Sequence, residues 1–570
     1  MILVSEERAK DFKSKGWWGE RRLFDLFDEH VRVRPEAEAC VDPPNVAVIT
    51  GETPQRLTWA MLDDQVTRLM AVLRGRGIAK DDVVLVQLAN TVELFVVYLA
   101  CMKLGVIATP VAIQYREHEL AHVADKTDAK AVITSVRIGK HAHGDMFARL
   151  AAKLPKLQAI LTYGGAVEGT HDLRALLAGV DATARLQALA AAEAAAISAD
   201  DIVTICWTSG TEAAPKGVPR SHNEWFVVGE MVIAAAYLRP GARLLNPFPM
   251  INMAGISTGF SAWLVLGATM VQHQPFDLDV FLQQIRDEKI EYTVAPPAIL
   301  NRLLHNEQLL AGIDFNILSR LGSGSAPLSE WMVRTWHERY GVEVINYFGS
   351  NEGASFAGTL ADIPDPAERA VFFPRFAPQF KWDFAYADQV ATRLVDPATE
   401  EEITEIGGLG ELRVKGAPIF SGYWRSAEQN ARAFDAQGWY RTGDLFELAG
   451  ERGQFFRFMG RLKDIIIRGG MNISAEELEG HLAGHPKVAE VAIVGIPDQI
   501  MGERICACIA PRNSEALTLD EINRFLLNDK QVAIYKQIEH LKIFPALPRN
   551  PVGKLLKREL RAQLASEKAA

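Results

Sequence analysis

The sequence has few cysteines, no long apolar run and no cluster of positive charge. Five scattered cysteines among 570 residues indicate reduced thiols in a cytoplasmic protein; only Cys506 and Cys508 lie close together, pointing the same way on a predicted strand. No run of about 18 apolar residues is present, which argues against a membrane span. The first residues carry scattered charges, so we expect no signal peptide. A net charge of −10 without a basic run argues against nucleic-acid binding.

The length and the hydrophobic pattern predict at least two domains of α/β type. A chain of 570 residues exceeds what one hydrophobic core usually supports. Strand-length apolar runs such as Val83–Leu88 alternate with helical patterns such as Val92–Leu104, as in proteins with parallel sheets. From about Gly407 short strands with glycine turns predict a small β-subdomain, and the last hundred residues predict a compact α+β unit. We place the boundary near Arg461–Lys463.

The segment Thr208–Gly217, TSGTEAAPKG, concentrates hydroxyl groups, glycines and one lysine. Glycines let a backbone turn several N–H groups to one side, and such amides form an anion-binding concavity. The segment lies between the apolar run Ile202–Trp207 and the helical pattern Trp225–Ala236, so we expect a loop at a strand–helix junction. It is not a Walker A loop, because Lys216 precedes a glycine. The prediction is a phosphate-binding loop, and taken alone the pattern also fits a plain loop.

Two further motifs follow strand-like runs, where open α/β sheets bind ligands. Gly322–Pro327, GSGSAP, would let a flat ligand such as a nucleobase approach the backbone, although a tight turn explains the motif equally well. Asn346–Gly353, NYFGSNEG, offers aromatic faces and the carboxylate of Glu352. That carboxylate suits Mg²⁺ beside phosphates, and the alternative is a solvated acid.

Three charged residues in later motifs complete the candidate set. Asp444, in WYRTGDL, follows a glycine turn and can accept hydrogen bonds from two ribose hydroxyls. Arg461, in GRLKDI, is a permanent cation with a fixed donor geometry. Lys554, in PRNPVGKLLK, lies on a loop rich in proline and glycine. A loop lysine is usually solvated, so Lys554 becomes a candidate functional residue only when it is considered together with the other motifs.

One motif is rejected as a metal site. His118–His122 reads HELAH, the pattern of a zinc-protease helix. The extended motif would need glycine at the position of Asp125, and no third ligand is evident. Leu120 and Val123 give the segment an apolar face, so an amphipathic helix with surface histidines is the better explanation.

Seven motifs in one order resemble the AMP-forming acyl-CoA synthetases of the adenylate-forming superfamily, from about Leu23 to Arg561. The motifs are TSGTEAAPKG, GSGSAP, NYFGSNEG, GELRVKG, WYRTGDL, GRLKDIIIRGGMNISAEELE and PRNPVGK. The resemblance implies a large N-terminal AMP-binding domain, residues 1–462, with two α/β sheets and a small β-barrel-like subdomain. A small mobile α+β C-terminal domain, residues 463–570, would follow. It implies ATP, Mg²⁺, coenzyme A and a small-molecule carboxylic acid as cofactor and substrates, and leaves a homodimer open.

The resemblance implies two half-reactions. A carboxylate attacks the α-phosphate of ATP to give acyl-AMP and pyrophosphate, and the thiol of coenzyme A then displaces AMP. Because the carboxylate is ionised at pH 7, the first step needs charge neutralisation and in-line positioning and no base. Lys554 would bridge the carboxylate and α-phosphate oxygens, with Glu352 and Thr208 as further catalytic residues and Mg²⁺ ligands. The C-terminal domain would then rotate about Lys463 and bring the loop at Gly469 and Gly470 to the pantetheine channel.

By the same resemblance, Phe348 should lie along the adenine, and Asp444 and Arg461 should bind the ribose. The implied nucleotide-binding set is Thr208, Ser209, Gly210, Thr211, Lys216, Gly322, Ser323, Gly324, Ala326, Pro327, Tyr347, Phe348, Gly349, Asn351, Glu352, Asp444, Arg461 and Lys554. The implied acyl-pocket set is Asn252, Met253, Ala254, Gly255, Gly324 and Tyr347.

Several positions depart from the pattern of the family. Glu212 and Ala213 stand where threonine and glycine are common, and Asn351 replaces a usual threonine while keeping a group that can donate to phosphate. Asn252 stands where a histidine or aromatic residue often borders the acyl pocket. The remaining pocket residues are small or apolar, which suits an uncharged aromatic, alicyclic or medium-chain acyl group.

Three functions are compatible with these residues. The first is an acyl-CoA ligase, favoured by the resemblance of Gly469–Ile473 to a coenzyme A loop. The second is a stand-alone adenylating enzyme that loads a carrier protein. The third is a non-catalytic nucleotide-binding protein, which the presence of Lys554, Glu352 and Asp444 disfavours.

We expect Lys554→Ala to lower the rate of adenylation by about a hundredfold or more, because one oriented charge donor is lost. Thioester formation from supplied acyl-AMP should be spared. Separate assays of pyrophosphate release and of acyl-CoA formation from acyl-AMP measure the two steps. Equal losses in both would contradict a lysine that acts in one half-reaction only.

Overall fold

A computed structural model describes residues 1–208, 215–469, 471–498, 500–512, 516–550 and 555–569. The described residues divide into two compact units. The first contains those of 1–208, 215–391 and 414–440, and the second those of 392–413 and 441–569. The domain boundary predicted at 462/463 stays a prediction.

The first unit is built on two large, mostly parallel sheets. The eight strands of the first sheet are, in spatial order, Ser355–Gly358, Glu343–Gly349, Arg320–Gly324, Tyr292–Val294, Arg243–Asn246, Thr269–Gln272, Glu38–Val41 and Arg56–Thr58. The seven strands of the second are Gly217–Ser221, Ile202–Trp207, Ile107–Pro110, Val83–Gln87, Ala131–Ser135, Ala159–Tyr163 and His171–Asp172. Antiparallel pairing occurs at both edges of the first sheet and at one edge of the second.

Helices cover these sheets and bury the apolar sides of both. The α-helices of the first unit are Glu6–Ser14, Leu23–Val33, Val46–Ile49, Trp59–Gly75, Val92–Leu104, Glu117–Thr127, His143–Ala151, Leu173–Ala178, Ala182–Ala194, His222–Ala236, Met253–Gly255, Ala262–Leu266, Leu278–Asp287, Pro297–His305, Glu330–Tyr340, Pro366–Val371 and Ala427–Ala433. Val92–Leu104 is buried along its whole length. Among the described residues, no helix has the length and apolar character needed to cross a membrane.

The second unit contains two smaller sheets. One is five-stranded; four of its successive strands are Phe455–Arg461, Tyr440–Ala449, Leu409–Gly416 and Val390–Val395, and it is an open sheet without barrel closure among the described strands. The other is formed by Met471–Ile473, Ile466–Arg468, Gly502–Pro511, Val488–Asp498 and His540–Ile543. The α-helices of this unit are Ala475–Leu482, Leu519–Arg524 and Lys557–Ala569.

The α/β class predicted from the sequence is confirmed, and most predicted elements appear within a few residues of their expected bounds. The helix Val92–Leu104 is found as predicted, and Ala182–Ala194 is a surface helix with only Ala188 buried. The prediction of a strand–helix junction after Thr208 is wrong. The strand Gly217–Ser221 comes first and pairs antiparallel with Ile202–Trp207, so the phosphate-loop segment joins two strands.

The helix Glu117–Thr127 carries the HELAH motif on an amphipathic surface, as expected. Leu120, Val123 and Ala124 are buried, whereas His118 is exposed. The ring nitrogen Nε2 of His122 lies 3.1 Å from the carbonyl oxygen of Pro215. This histidine therefore interacts with the described C-terminal end of the phosphate-loop segment itself.

His222 begins the helix His222–Ala236 and is fully buried. Its Nδ1 accepts a hydrogen bond of 3.2 Å from the backbone N–H of Leu23, so the folded protein requires the ring nitrogen to be unprotonated. Burial lowers the pKa of His222 to about 3. At pH values between this lowered pKa and the ordinary histidine pKa, His222 is protonated in the unfolded chain and unprotonated in the folded protein. Stability due to this group is therefore present at neutral pH and is lost as the pH falls.

We expect the free energy of unfolding to fall below pH 6.5, with His222 contributing up to about 1.4 kcal/mol per pH unit. His222→Asn retains a hydrogen-bond acceptor and does not titrate, so its stability should fall less steeply between pH 6.5 and 4. Urea unfolding followed by fluorescence across this range measures the slopes. The exposed-site control His118→Asn should keep the wild-type slope, and an unchanged slope in His222→Asn would refute the assignment.

Candidate functional site

The predicted phosphate-loop segment is closed at its base by two hydrogen bonds. The backbone N–H of Thr208 donates to the carbonyl of Lys216 at 3.0 Å, and the N–H of Lys216 donates to the Thr208 hydroxyl at 3.1 Å. These bonds continue the ladder between the two strands, in which Trp207 lies opposite Gly217. The sequence expectations for Ser209, Gly210, Thr211, Glu212 and Ala213 fall outside the described residues.

Tyr423, which the sequence did not single out, connects two of the predicted site residues. Its hydroxyl donates a 2.8 Å hydrogen bond to Oε1 of Glu352, and the Glu352 side chain is buried. The ammonium of Lys216 lies over the same ring, 4.1 Å from its centroid. Lys216 and Glu352, which come from separate motifs, are therefore held by one aromatic side chain.

Asn351 connects the end of the strand before Thr208 to the predicted acyl segment. Its Oδ1 accepts the backbone N–H of Met253 at 2.8 Å, and its Nδ2 donates to the carbonyl of Trp207 at 3.2 Å. Within the described part of the chain the second N–H of this amide has no partner, so it retains one donor for a phosphate oxygen. Asn252 caps the same short helix, its Oδ1 accepting the N–H of Gly255 at 3.2 Å.

Gly322 lies against the buried ring of Tyr292 and the partly exposed ring of Tyr347. A Cβ at Gly322 would come within 2.5 Å of the hydroxyl of Tyr292 and 2.8 Å of the ring of Tyr347. The Tyr292 hydroxyl donates to that of Tyr347 at 3.1 Å, and burial raises the pKa of both phenols. The structure thus places the predicted pocket residues Gly322, Gly324 and Tyr347 side by side on neighbouring strands.

Phe348 and Tyr347 follow each other on a strand and therefore project to opposite faces of the sheet. The ring of Phe348 packs against the rings of Phe356 and Phe373, with centroids 5.7 and 6.1 Å from that of Phe348.

The other predicted nucleotide-binding residues lie nearby in sequence. Gly349 ends the strand, and a Cβ there would approach Met253 to 3.8 Å. Ser323 bonds to the carbonyl of Ala295 at 2.8 Å. The loop residues Ala326 and Pro327 are exposed.

A buried arginine holds the turn that follows Glu352. Arg220 is fully buried; its Nη1 donates to the carbonyl of Pro418 at 2.6 Å and its Nη2 to that of Glu224 at 3.2 Å. Burial lowers the pKa of Arg220, and the charge of Glu224 opposes that shift. Gly353 has a φ of +102°, and a Cβ there would overlap the Pro418 carbonyl. Only glycine therefore fits this turn.

In the second unit, Asp444 and Arg461 face each other across two antiparallel strands. Arg461 Nε lies 2.9 Å from Oδ1 of Asp444, whose side chain is buried. The N–H of Asp444 donates to the hydroxyl of Thr442 at 3.1 Å, and Gly443 makes the turn with a φ of +68°. The structure therefore brings together the two residues expected to bind ribose.

The predicted hinge residue Lys463 lies in the short 3₁₀ turn Leu462–Asp464. Asp464 accepts a 2.8 Å bond from Arg561, which joins this turn to the C-terminal helix. Gly469 has a φ of +57°, and its N–H donates to the carbonyl of Met501 at 2.8 Å. The expectations for Gly470 and Lys554 fall outside the described residues.

The helix that follows Lys554 in sequence is held by an ion pair. Lys557 Nζ lies 2.9 Å from Oε1 of Glu479 and 4.0 Å from Glu476. Burial raises the pKa of Glu479 to about 7, against the attraction of Lys557. Burial works against the charge of Lys557, but the two carboxylates raise its pKa overall. The start of this helix is thus fixed to the helix Ala475–Leu482.

The residues at hand fit Mg²⁺. Glu352 supplies a carboxylate whose Oε2 has no hydrogen-bond partner in the described chain, and Thr208 supplies a hydroxyl. Within the described ranges, no group of three or more His, Cys, Asp or Glu side chains could hold a metal ion. A single carboxylate suits Mg²⁺, which binds commonly through one or two carboxylates, water and substrate phosphates.

Two α/β sheets, two paired strands joined by a segment rich in hydroxyl groups, and a buried acid are the features of a nucleotide-dependent enzyme. The chain belongs to the AMP-binding enzyme family of adenylate-forming ligases: residues 27–424 match the family's main model, and residues 477–554 match the AMP-binding enzyme C-terminal domain. The family expected from the motifs is thereby confirmed.

Relatives and a solved structure cover nearly the whole chain. The medium-chain fatty-acid–CoA ligase of Escherichia coli K12 is 29% identical over 99% of this chain and 94% of its own length. The 2-hydroxy-7-methoxy-5-methyl-1-naphthoate–CoA ligase of Streptomyces carzinostaticus is 29% identical, over 98% and 96%. The crystal structure of ATP-bound MatB from Rhodopseudomonas palustris shares the fold, with a TM-score of 0.76, 24% identity and coverage of 95% and 99%.

Asn351→Ala should raise KM for the carboxylic acid by about tenfold, because the Met253 N–H loses its acceptor and the short acyl segment loosens. Steady-state pyrophosphate release with varied acid measures this effect. Ser350→Ala is a matched control, since the neighbouring hydroxyl has no hydrogen-bond partner in the described chain. Equal behaviour of the two variants would contradict a specific role for Asn351.

Proposed function

We propose that this protein activates an uncharged carboxylic acid with ATP and transfers the acyl group to coenzyme A. The acid is of the aromatic, alicyclic or medium-chain fatty type, and AMP and pyrophosphate are the other products. The observation that carries the proposal is the joint placement of Lys216 and Glu352 on Tyr423, directly beside the base of the phosphate-loop segment. This arrangement sets a cation and a carboxylate beside a segment rich in hydroxyls and glycines.

The first half-reaction needs the negative charges of the carboxylate and the triphosphate to be brought together. Lys216 supplies positive charge, and the Thr208 hydroxyl, Ser209–Thr211 and the remaining N–H of Asn351 supply hydrogen-bond donors. Mg²⁺ held at Glu352 and Thr208 would neutralise phosphate charge and favour the departure of pyrophosphate. Lys554 would act on the carboxylate and α-phosphate oxygens, and the Asp444–Arg461 pair would bind the ribose.

The character of the acyl group is inferred from the residues around Met253 and Tyr347. Met253, Gly255 and Gly322 are buried, and none of them carries charge. The hydroxyl of Tyr292 donates to that of Tyr347, and neither side chain carries a charge, so we expect this wall of the pocket to contact a substrate mainly through apolar surface. The fatty-acid and naphthoate ligases among the relatives support both an aliphatic and an aromatic acid.

We expect ATP-dependent pyrophosphate release with at least one uncharged aromatic, alicyclic or medium-chain acid, and its acyl-CoA as the product by mass spectrometry. Amino acids and dicarboxylic acids should give background rates, because no charged group of the proposed pocket pairs with their second ionised group. Reactions without coenzyme A should stop at enzyme-bound acyl-AMP.

Each outcome of this assay decides between functions. Acyl-AMP that transfers to a carrier protein and not to coenzyme A would establish the alternative of a loading enzyme. No pyrophosphate release with any acid would refute the proposal in both forms.

A further inference from the structure

Tyr423 is fixed in place before any substrate binds. Its backbone N–H donates to Oδ1 of Asn430 at 2.6 Å, and its carbonyl accepts from Nδ2 of the same amide at 3.0 Å. Gly422 has a φ of +133°, and a Cβ there would lie 3.1 Å from the Asn430 amide. The ring stands edge-on to Phe420, 4.8 Å away, and is 6% exposed. The side chain therefore has one well-defined position.

The contacts of Tyr423 with Glu352 and with Lys216 are chemically different and can be separated by substitution. The hydroxyl donates to one oxygen of Glu352, Oε1, and leaves Oε2 outside this hydrogen bond. The face of the ring attracts the Lys216 ammonium through its quadrupole, and this attraction needs no hydroxyl. A phenylalanine would keep the second contact and lose the first, and an aliphatic residue would lose both.

We propose that Tyr423 is a positioning residue for ATP: it orients the Glu352 carboxylate toward the metal-bound phosphates and holds the Lys216 ammonium beside the phosphate-loop segment. This inference rests on the proposed function, since it concerns the same site. Tyr423 itself contacts neither phosphate nor metal in this account. Its proposed effect on ATP passes through Glu352 and Lys216.

The test is a direct measurement of ATP binding by titration calorimetry, with Mg²⁺ and with EDTA, in the absence of a carboxylic acid. Tyr423→Phe should weaken binding by about tenfold with Mg²⁺ and leave binding in EDTA unchanged, because only the orientation of Glu352 is lost. Tyr423→Leu should weaken binding under both conditions, because the Lys216 ammonium also loses its contact with the aromatic ring. The control Tyr340→Phe, at a tyrosine that packs against Phe315 and Trp336, should match the wild type in both.

A double-mutant cycle with Glu352→Gln guards against a general loss of structure. The Mg²⁺-dependent defect of Tyr423→Phe should disappear in the Glu352→Gln background, since the hydroxyl has no carboxylate left to orient. If Tyr423→Phe binds Mg²⁺–ATP as tightly as the wild type, the role of Tyr423 is refuted and the proposed function is unaffected. Equal losses with Mg²⁺ and EDTA would also refute this role. A wild-type protein that binds no ATP would overturn both this inference and the proposed function.

Discussion

The arrangement of the site depends on the burial of one positive charge, the guanidinium of Arg220. A buried charge is stabilised by hydrogen bonds that replace part of its hydration, and here the carbonyls of Pro418 and Glu224 accept from Nη1 and Nη2 of the guanidinium. Arg220 lies on the strand that follows the phosphate-loop segment, and Pro418 lies five residues before Tyr423. Loss of the bond between Arg220 and Pro418 would leave a buried polar group unpaired. This directional bond therefore sets the distance between the strand Gly217–Ser221 and the segment that carries Tyr423. Apolar contacts alone are not directional and would leave this distance less well defined.

The same guanidinium explains the glycine after Glu352. Gly353 passes so close to Pro418 and Arg220 that a side chain has no space. Three segments distant in sequence, the edge strand, the 346–353 motif and the stretch before Tyr423, therefore meet around one buried cation. Lys216 and Glu352 are carried by two of these segments and Tyr423 by the third. The hydrophobic cores beneath the two sheets determine which elements pack together, and this polar contact determines how the functional groups face each other.

The elements best predicted from the sequence are those with strong apolar patterns, such as the fully buried helix Val92–Leu104. The strand Gly217–Ser221 was missed because proline and a charged residue at its centre are uncommon in strands. Pro219 is tolerated because this strand lies at the edge of its sheet, where an N–H can be spared, and Arg220 because carbonyls surround it. Glu352 and Lys216 stood out in glycine-rich motifs. Tyr423 gave no local signal, since its role comes from a contact with a residue 71 positions away.

Two departures from the pattern of the family act on the same short helix. A threonine at position 351 would offer one hydroxyl, whereas the amide of Asn351 offers an acceptor and two donors on a longer arm. The acceptor takes the N–H of Met253 and one donor takes the carbonyl of Trp207, so the amide spans the acyl segment and the strand end. Asn252, the other departure, caps Gly255 in the same helix. Both asparagines thus fix Met253–Gly255 by hydrogen bonds to its backbone. If the acid binds where we propose, the side chain of Met253 would face the acyl group, and the residues of this helix, more than any charge, would determine acyl selectivity.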